Sequence, residues 1–137
     1  MKVDPYLIFN GRCEEAIQFY VDALGARLEV LMHFSDAPPE AQGGCAQTPE
    51  GVMHASFRIG DSVVMATDGA PGEPKPFGSF ALTLTVVDEL EAVRCFDALT
   101  DGGQVTMPLA PTFFAHQFGM VTDRFGVAWN VIFPKAM

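Results

Sequence analysis

Long apolar runs are missing from this sequence. None approaches the roughly 18 residues that mark a membrane span, so no transmembrane helix is expected. Cysteine is scarce: the three present, Cys13, Cys45 and Cys95, are odd in number, widely spaced and without a CxxC pair. They suggest neither a disulfide framework nor a structural zinc site, and free thiols are expected. Basic residues are few as well, 8 against 17 acids, for a net charge of -9. Such a field repels phosphate backbones and anionic lipid, which argues against nucleic-acid and membrane partners and leaves cationic or neutral ligands compatible. The opening MKVDPYLIFNGRCEE carries acids where a secretory leader has its apolar stretch, so a cytoplasmic location is expected.

What is present is a chain of 137 residues, 49% hydrophobic and with 12 Phe. That is enough apolar material for one folded domain covering 1–137, and too short a chain for two. The short stretch PYLIF (5–9) reads as a strand that ends at Asn10-Gly11. A 3.6-residue stripe of Cys13, Ala16, Ile17, Tyr20 and Leu24 then predicts a helix over 13–24, stopped by Gly25. A strand follows at Arg27–Phe34, and then the long polar loop 35–51, a lid or binding-loop candidate by its length. A hairpin is expected at His54–Ile59 and Ser62–Thr67 around Gly60-Asp61. After a Pro/Gly stretch the order begins again: a strand at Ser79–Val87, a helix opened by Asp88 with Glu91 as its capping partner, and a strand at Gln104–Leu109. A hairpin at Gln117–Thr122 and Val127–Phe133 closes the chain. The stripe of the second helix reads as Leu90, Val93, Phe96 and Leu99.

The order strand, helix, three strands thus occurs twice, with module one at about 1–68, a linker at 69–77 and module two at 78–137. Residues repeat too. Glu15-Ala16-Ile17 and Tyr20 match Glu91-Ala92-Val93 and Phe96, and HASFRIGD (54–61) matches HQFGMVTD (116–123). A single βαβββ unit cannot bury its own sheet, so the two must pair by pseudo-twofold symmetry, their sheets cupped around a cleft. The fold class expected is α+β with mixed sheets.

A doubled βαβββ unit resembles the vicinal oxygen chelate superfamily, with its glyoxalase, bleomycin-resistance and dioxygenase members. YLIFNGRCEEAIQFYVDALGA, HASFRIGDSVVMATD and FFAHQFGMVTDRFGVAW are similar to its PhnB-like branch, also labelled 3-demethylubiquinone-9 3-methyltransferase-like. The likeness covers nearly the whole chain. It implies a homodimer with a ligand cavity in the cup, and, in metalloenzyme members, four side chains holding a divalent ion. Those positions fall here on Pro5, Met65, Leu82 or Thr83, and Asn130. A catalytic zinc-type site needs about three His, Glu, Asp or Cys donors, so no metal site is expected. No GxGxxG-like turn opens either helix, so no S-adenosylmethionine or other cofactor is expected.

The candidate catalytic residues are His54 and His116, at matching positions of the repeat and of a residue type that can move a proton at physiological pH; each could equally bond a backbone carbonyl at a strand start. Alternation sets His54, Ser56 and Arg58 toward the cup, and Ala55, Phe57 and Ile59 toward the helix layer. The candidate ligand-binding residues are Phe9, Arg58, Met65, Thr83, Phe114, Phe118 and Asn130. Arg58 could steer a carboxylate or enolate oxygen, or pair with a neighbouring acid. Phe113, Phe114 and Phe118 could floor a pocket or simply pack the core. Trp129 belongs to the helix-side core, Cys13 and Cys95 to inner helix stripes, His33 to the rim, and Cys45 is an exposed thiol. The function expected is binding of a small organic ligand in the cup, with His-based acid/base chemistry on a carbonyl compound. The alternatives are sequestration of a cationic aromatic compound, in the manner of bleomycin-resistance proteins, or an interaction protein whose cup is filled by Phe and Met side chains.

Overall fold

Residues 1–37, 49–69 and 75–136 are described in the computed structural model, and they fall into two units, Met1–Lys75 and Pro76–Met137. Cys45, most of the 35–51 loop and much of the 69–77 linker lie outside the described residues. Among the described residues no helix is long and apolar enough to cross a membrane.

Unit one contains β1 (Tyr6–Ile8), α1 (Cys13–Leu24), β2 (Arg27–His33), a 3-10 turn (Phe34–Asp36), β3 (Val52–Ile59) and β4 (Ser62–Thr67), with strand order β1-β4-β3-β2. Unit two repeats it with β5 (Leu82–Thr85), α2 (Glu89–Thr100), β6 (Gln104–Ala110), β7 (Ala115–Thr122) and β8 (Ala128–Pro134), in the order β5-β8-β7-β6. In both, the first strand runs parallel to the last while the remaining neighbours are antiparallel. The α+β class and the doubled βαβββ module are as the sequence predicts.

In unit one α1 covers one face of the sheet. Ala55 and Phe57 are fully buried on that face, and the Phe57 ring stacks on Tyr20 at 5.9 Å between centroids. Gly25 takes the left-handed conformation (φ 70°), so that its N–H donates to the Val21 carbonyl and the N–H of Ala26 to that of Tyr20, which ends the helix. Between the end of β4, the start of β3 and the entry to α1 sits Asp68, only 4% exposed. Its Oδ1 accepts from the N–H groups of Gly11 and Cys13, and its Oδ2 from that of Val52, each at 2.8 Å. The carboxylate caps the helix and ties the two strand ends to it.

Unit two buries Val121, Trp129 and Val131 beneath α2. The buried Asp123 holds its hairpin together, accepting from the N–H of Phe125 and Val127 and from Trp129 Nε1 at 2.9, 3.1 and 2.9 Å. Trp129 is therefore core, as expected. The stripe of α2 is rotated from the expectation. Ala92, Cys95, Phe96 and Leu99 face inward, while Leu90 and Val93 are 79% and 42% exposed. The cause is steric: a Cβ on Gly119 would stand 2.8 Å from the Phe96 ring, so the bare glycine lets the ring seat there and sets the roll of the helix. Strand β5 is shorter than the expected Ser79–Val87, because Ser79 adopts φ 59° and leaves the extended path.

Removing Asp68 leaves the buried N–H groups of Cys13 and Val52 without an acceptor, at about 1–3 kcal/mol each, and frees the part-buried Gly11 N–H. Asp68→Ala is expected to lower unfolding stability by at least about 2 kcal/mol, read as a fall in the urea midpoint, and Asp68→Glu to recover little of it because the longer arm misplaces the oxygens.

Candidate functional site

Strand alternation gives each sheet a second face, directed away from its own helix. In unit one that face carries Tyr6 and Ile8 from β1, Met65 from β4, His54, Ser56 and Arg58 from β3, and Met32 from β2, most of them half-exposed or exposed. Tyr6 pairs with Met65, Met65 with Ser56, and Ser56 with Val30, in one cross-strand row. His54 faces Met32 across β2, and its Nδ1 lies 3.1 Å from the Tyr6 hydroxyl, the two ring centroids 5.8 Å apart. Arg58 is engaged: its Nε donates to Glu29 Oε2 at 2.9 Å, the pairing with a neighbouring acid that the sequence left open. Phe9 is buried with its ring 6.3 Å from Tyr20, in the core rather than on the open face.

In unit two the corresponding row is Thr83, Asn130, Met120 and Met107. Asn130 Nδ2 donates to Thr83 Oγ1 at 3.3 Å, and Asn130 Oδ1 is buried without a hydrogen-bond partner. Leu82 pairs with Trp129 on the helix side, so Thr83 is the β5 residue that shares a face with Asn130. Phe118 and Ile132 pair beside this row. Phe113, Phe114 and Phe118 do form a strip, with successive centroids 5.2 and 5.3 Å apart.

The two rows correct the matching of the histidines. Ser56 and Met120 occupy equivalent places, so His54, two residues before Ser56, matches Phe118 rather than His116. The aspartates that aligned the segments sit in unlike turns: Asp61 in the tight β3–β4 link, Asp123 at the start of the longer link 123–127. His116 instead falls where the β7 ladder slips between Ala115 and Gln117. It is exposed, with its ring 4.7 Å from Phe133.

A zinc-type ion finds little to hold it at Pro5, Met65, Thr83 and Asn130. Pro5 has no donor side chain and its carbonyl accepts from the Met65 N–H at 2.9 Å, and the others offer a thioether, a hydroxyl and an amide. This donor set does not fit such a site. Among the described residues no group of three or more His, Cys, Asp or Glu side chains is placed so that it could hold a metal ion.

A model of the family described as 3-demethylubiquinone-9 3-methyltransferase matches residues 1–132. The chain belongs to that family. It is 37% identical to Protein YjdN of Escherichia coli, over 96% of this chain and 94% of that one. It is 42% identical to protein PA1353 of Pseudomonas aeruginosa, whose crystal structure superposes with a TM-score of 0.87 over 99% of both chains. The PhnB protein of Bacillus cereus, 25% identical, gives 0.82 over 97% of this chain and 99% of its own. A glyoxylase/bleomycin resistance protein/dioxygenase domain from Frankia, 14% identical over 98% of both chains, shares the fold alone at 0.68.

The methyltransferase in the family's description implies S-adenosylmethionine, and the junctions of this family member do not fit its usual cradle. The Gly11 and Cys13 N–H groups at the start of α1 are taken by Asp68, and at α2 the Glu91 N–H is taken by Asp88 Oδ1 at 2.7 Å. Among the described residues no Gly-rich turn opens a helix to receive such a ligand.

Two further groups escaped the sequence reading. Tyr6 could have been found by carrying period-two alternation into β1, which sets it beside Met65. The His33–Glu14 pair, Nε2 to Oε1 at 3.0 Å, joins elements distant in the chain and leaves no local signal. Cys13 is buried and its thiol is pushed up to about 12, by burial first and then by Asp68 and Glu14; burial also raises Cys95. Both thiols are poor nucleophiles. His33 is raised above its ordinary value, chiefly by the hydrogen bond with Glu14, against a lowering by desolvation; the charges of Glu14 and Asp36 add to the rise. The pairing therefore favours the folded chain below the ordinary histidine value, and that contribution is lost as pH rises through the raised one. In a proton NMR titration the His33 ring is expected to titrate above 6.5, and Glu14→Gln to bring its midpoint down.

Proposed function

We propose that this family member binds a small carbonyl-bearing organic compound on the helix-free face of the unit-one sheet, with His54 as the acid/base group. The observation that carries the reading is the Tyr6–His54 hydrogen bond of 3.1 Å on an open, largely apolar face. Met65, Ile8 and Met32 supply apolar surface around it, and Ser56 and Tyr6 supply hydroxyls. The bond fixes the imidazole ring whichever way it runs. With Nδ1–H donating to the Tyr6 oxygen, Nε2 keeps a lone pair able to take a proton; with the tyrosine donating, Nε2–H can give one. The donors best placed to hold a ligand oxygen in unit one are the Tyr6 and Ser56 hydroxyls, since the Arg58 guanidinium is bound to Glu29. In unit two, Thr83, Asn130, Phe118 and Phe114 offer hydroxyl, amide and ring surface on the corresponding face; His116, exposed beside Phe133, is a second proton-transfer candidate. The protein works in this reading as a cytoplasmic homodimer, without a glyoxalase-type metal ion or other cofactor.

The test is proton exchange. Acetylacetone and pyruvate are incubated with the protein in D2O near neutral pH, and loss of the α-proton signal is followed by NMR. The protein is expected to accelerate exchange, and His54→Ala, with its amide spectrum otherwise intact, to lose about 100-fold, the lower end of what a positioned base supplies. Tyr6→Phe is expected to lose less, since it frees the ring without removing the base. Exchange by His54→Ala at the unmutated rate would refute the proposal.

A further inference from the structure

Behind the sheet of unit one, on the side of α1, an open groove of about 310 Å3 is lined by Glu14, Ile17, Gln18, Val21, Ala26, Leu28 and Leu31. It is built by a fault in β2. Leu28 pairs with Phe57 and Leu31 with Ala55, both partners on the helix side, although residues three apart in a regular strand point to opposite faces. The ladder slips between Leu28 and Val30; this bulge turns both leucines under the helix and sends Glu29 out to Arg58. Ala26, just after the helix-ending glycine, is too small to fill the space between them. Leu28 consequently stays 46% exposed, an apolar floor left open to solvent.

The mouth of the groove has one sign. Glu14 is the sole charged group among its lining residues, its side chain 63% exposed and its Oε1 bonded to His33. Gln18 is oriented by donating from Nε2 to Asp22 Oδ1 at 3.0 Å, and an amide carbonyl is an acceptor. No lysine or arginine lines the space, and the whole chain carries -9. The volume is at the small end of small-molecule pockets and well below what a helix about 10 Å across requires.

We infer that this groove is a second binding site, for a small organic ammonium ion whose apolar body lies on Leu28, Leu31, Ile17 and Val21 and whose charged head meets Glu14 and the Gln18 carbonyl. The site is separate from the sheet faces and does not rest on the function proposed for them.

The probe is 2-phenylethylammonium, titrated into the full-length protein and followed through the methyl resonances of Ile17, Val21, Leu28 and Leu31. These methyls are expected to shift saturably. Glu14→Gln, an exposed change that leaves the fold intact, is expected to weaken binding about fivefold, as a half-exposed ion pair allows. Leu28→Ser is expected to weaken it further by stripping the floor, and phenylacetate, the anion of like shape, to produce no shift. An equal response to phenylacetate, an unchanged affinity in Glu14→Gln, shifts confined to Met32, Met65 and Ile132 on the opposite faces, or no shifts at millimolar probe would each overturn the assignment.

Discussion

Unit one is organised around one buried carboxylate. Asp68 receives three backbone N–H groups, from the turn before α1, from its first residue and from the first residue of β3. Three segments distant in sequence therefore meet at one side chain: the β1–α1 turn with the start of α1, the start of β3 and the end of β4. A carboxylate can remain buried there because three directed dipoles replace the water it loses. The neighbouring Thr67 hydroxyl donates to the carbonyls of Val52 and Met53 and accepts from the Gly69 N–H, so the strand ends are closed on both their donors and their acceptors. Everything on the open face, the Tyr6–His54 pair included, is positioned by strands that this junction holds in register. Unit two reaches the same end differently: Asp123 braces a hairpin turn and the indole of Trp129 rather than the entrance to a helix. The two modules share an architecture without sharing the device that locks it.

Much of the fold was legible because helix and strand periods differ so plainly along the chain. The limits of α1 were readable from its stripe and from Gly25, and the β3 alternation placed Phe57 under the helix and His54 away from it. The roll of α2 was not readable. Leu90 and Val93 are the more hydrophobic side chains, yet Ala92 and Cys95 face inward because the glycine opposite, distant in sequence, accommodates Phe96 at that angle. Propensity and pattern see one helix at a time, and here the partner surface chose the face.

The candidate site divides along similar lines. The open-face placement of His54 followed from alternation, whereas Met65, Asn130 and either Leu82 or Thr83 were expected there from the family resemblance, and the β5–β8 register selects Thr83. Matching His54 to His116 did not survive the registers, since the two hairpin turns differ in length and the shared aspartates perform unrelated tasks. The engagement of Arg58 by Glu29 and the burial of Phe9 against Tyr20 are contacts between elements, and a single sequence carries no record of them. What remains is a polar pair, Tyr6 and His54, on a face that also carries Ile8, Met65 and Met32.

The outermost strands bear on how the protein behaves when crowded. In the sheet orders β2 and β6 are terminal, and both ladders are broken twice, β2 at Leu28/Val30 and Met32/His33, β6 at Val105/Met107 and Met107/Ala110. Within β6, Pro108 also lacks the N–H that a foreign strand would need. A flat, unbroken border would invite backbone bonding by a foreign strand; at β2 and β6 the kinks spoil that template, while the opposite terminal strands, β1 and β5, are short and pair without a slip.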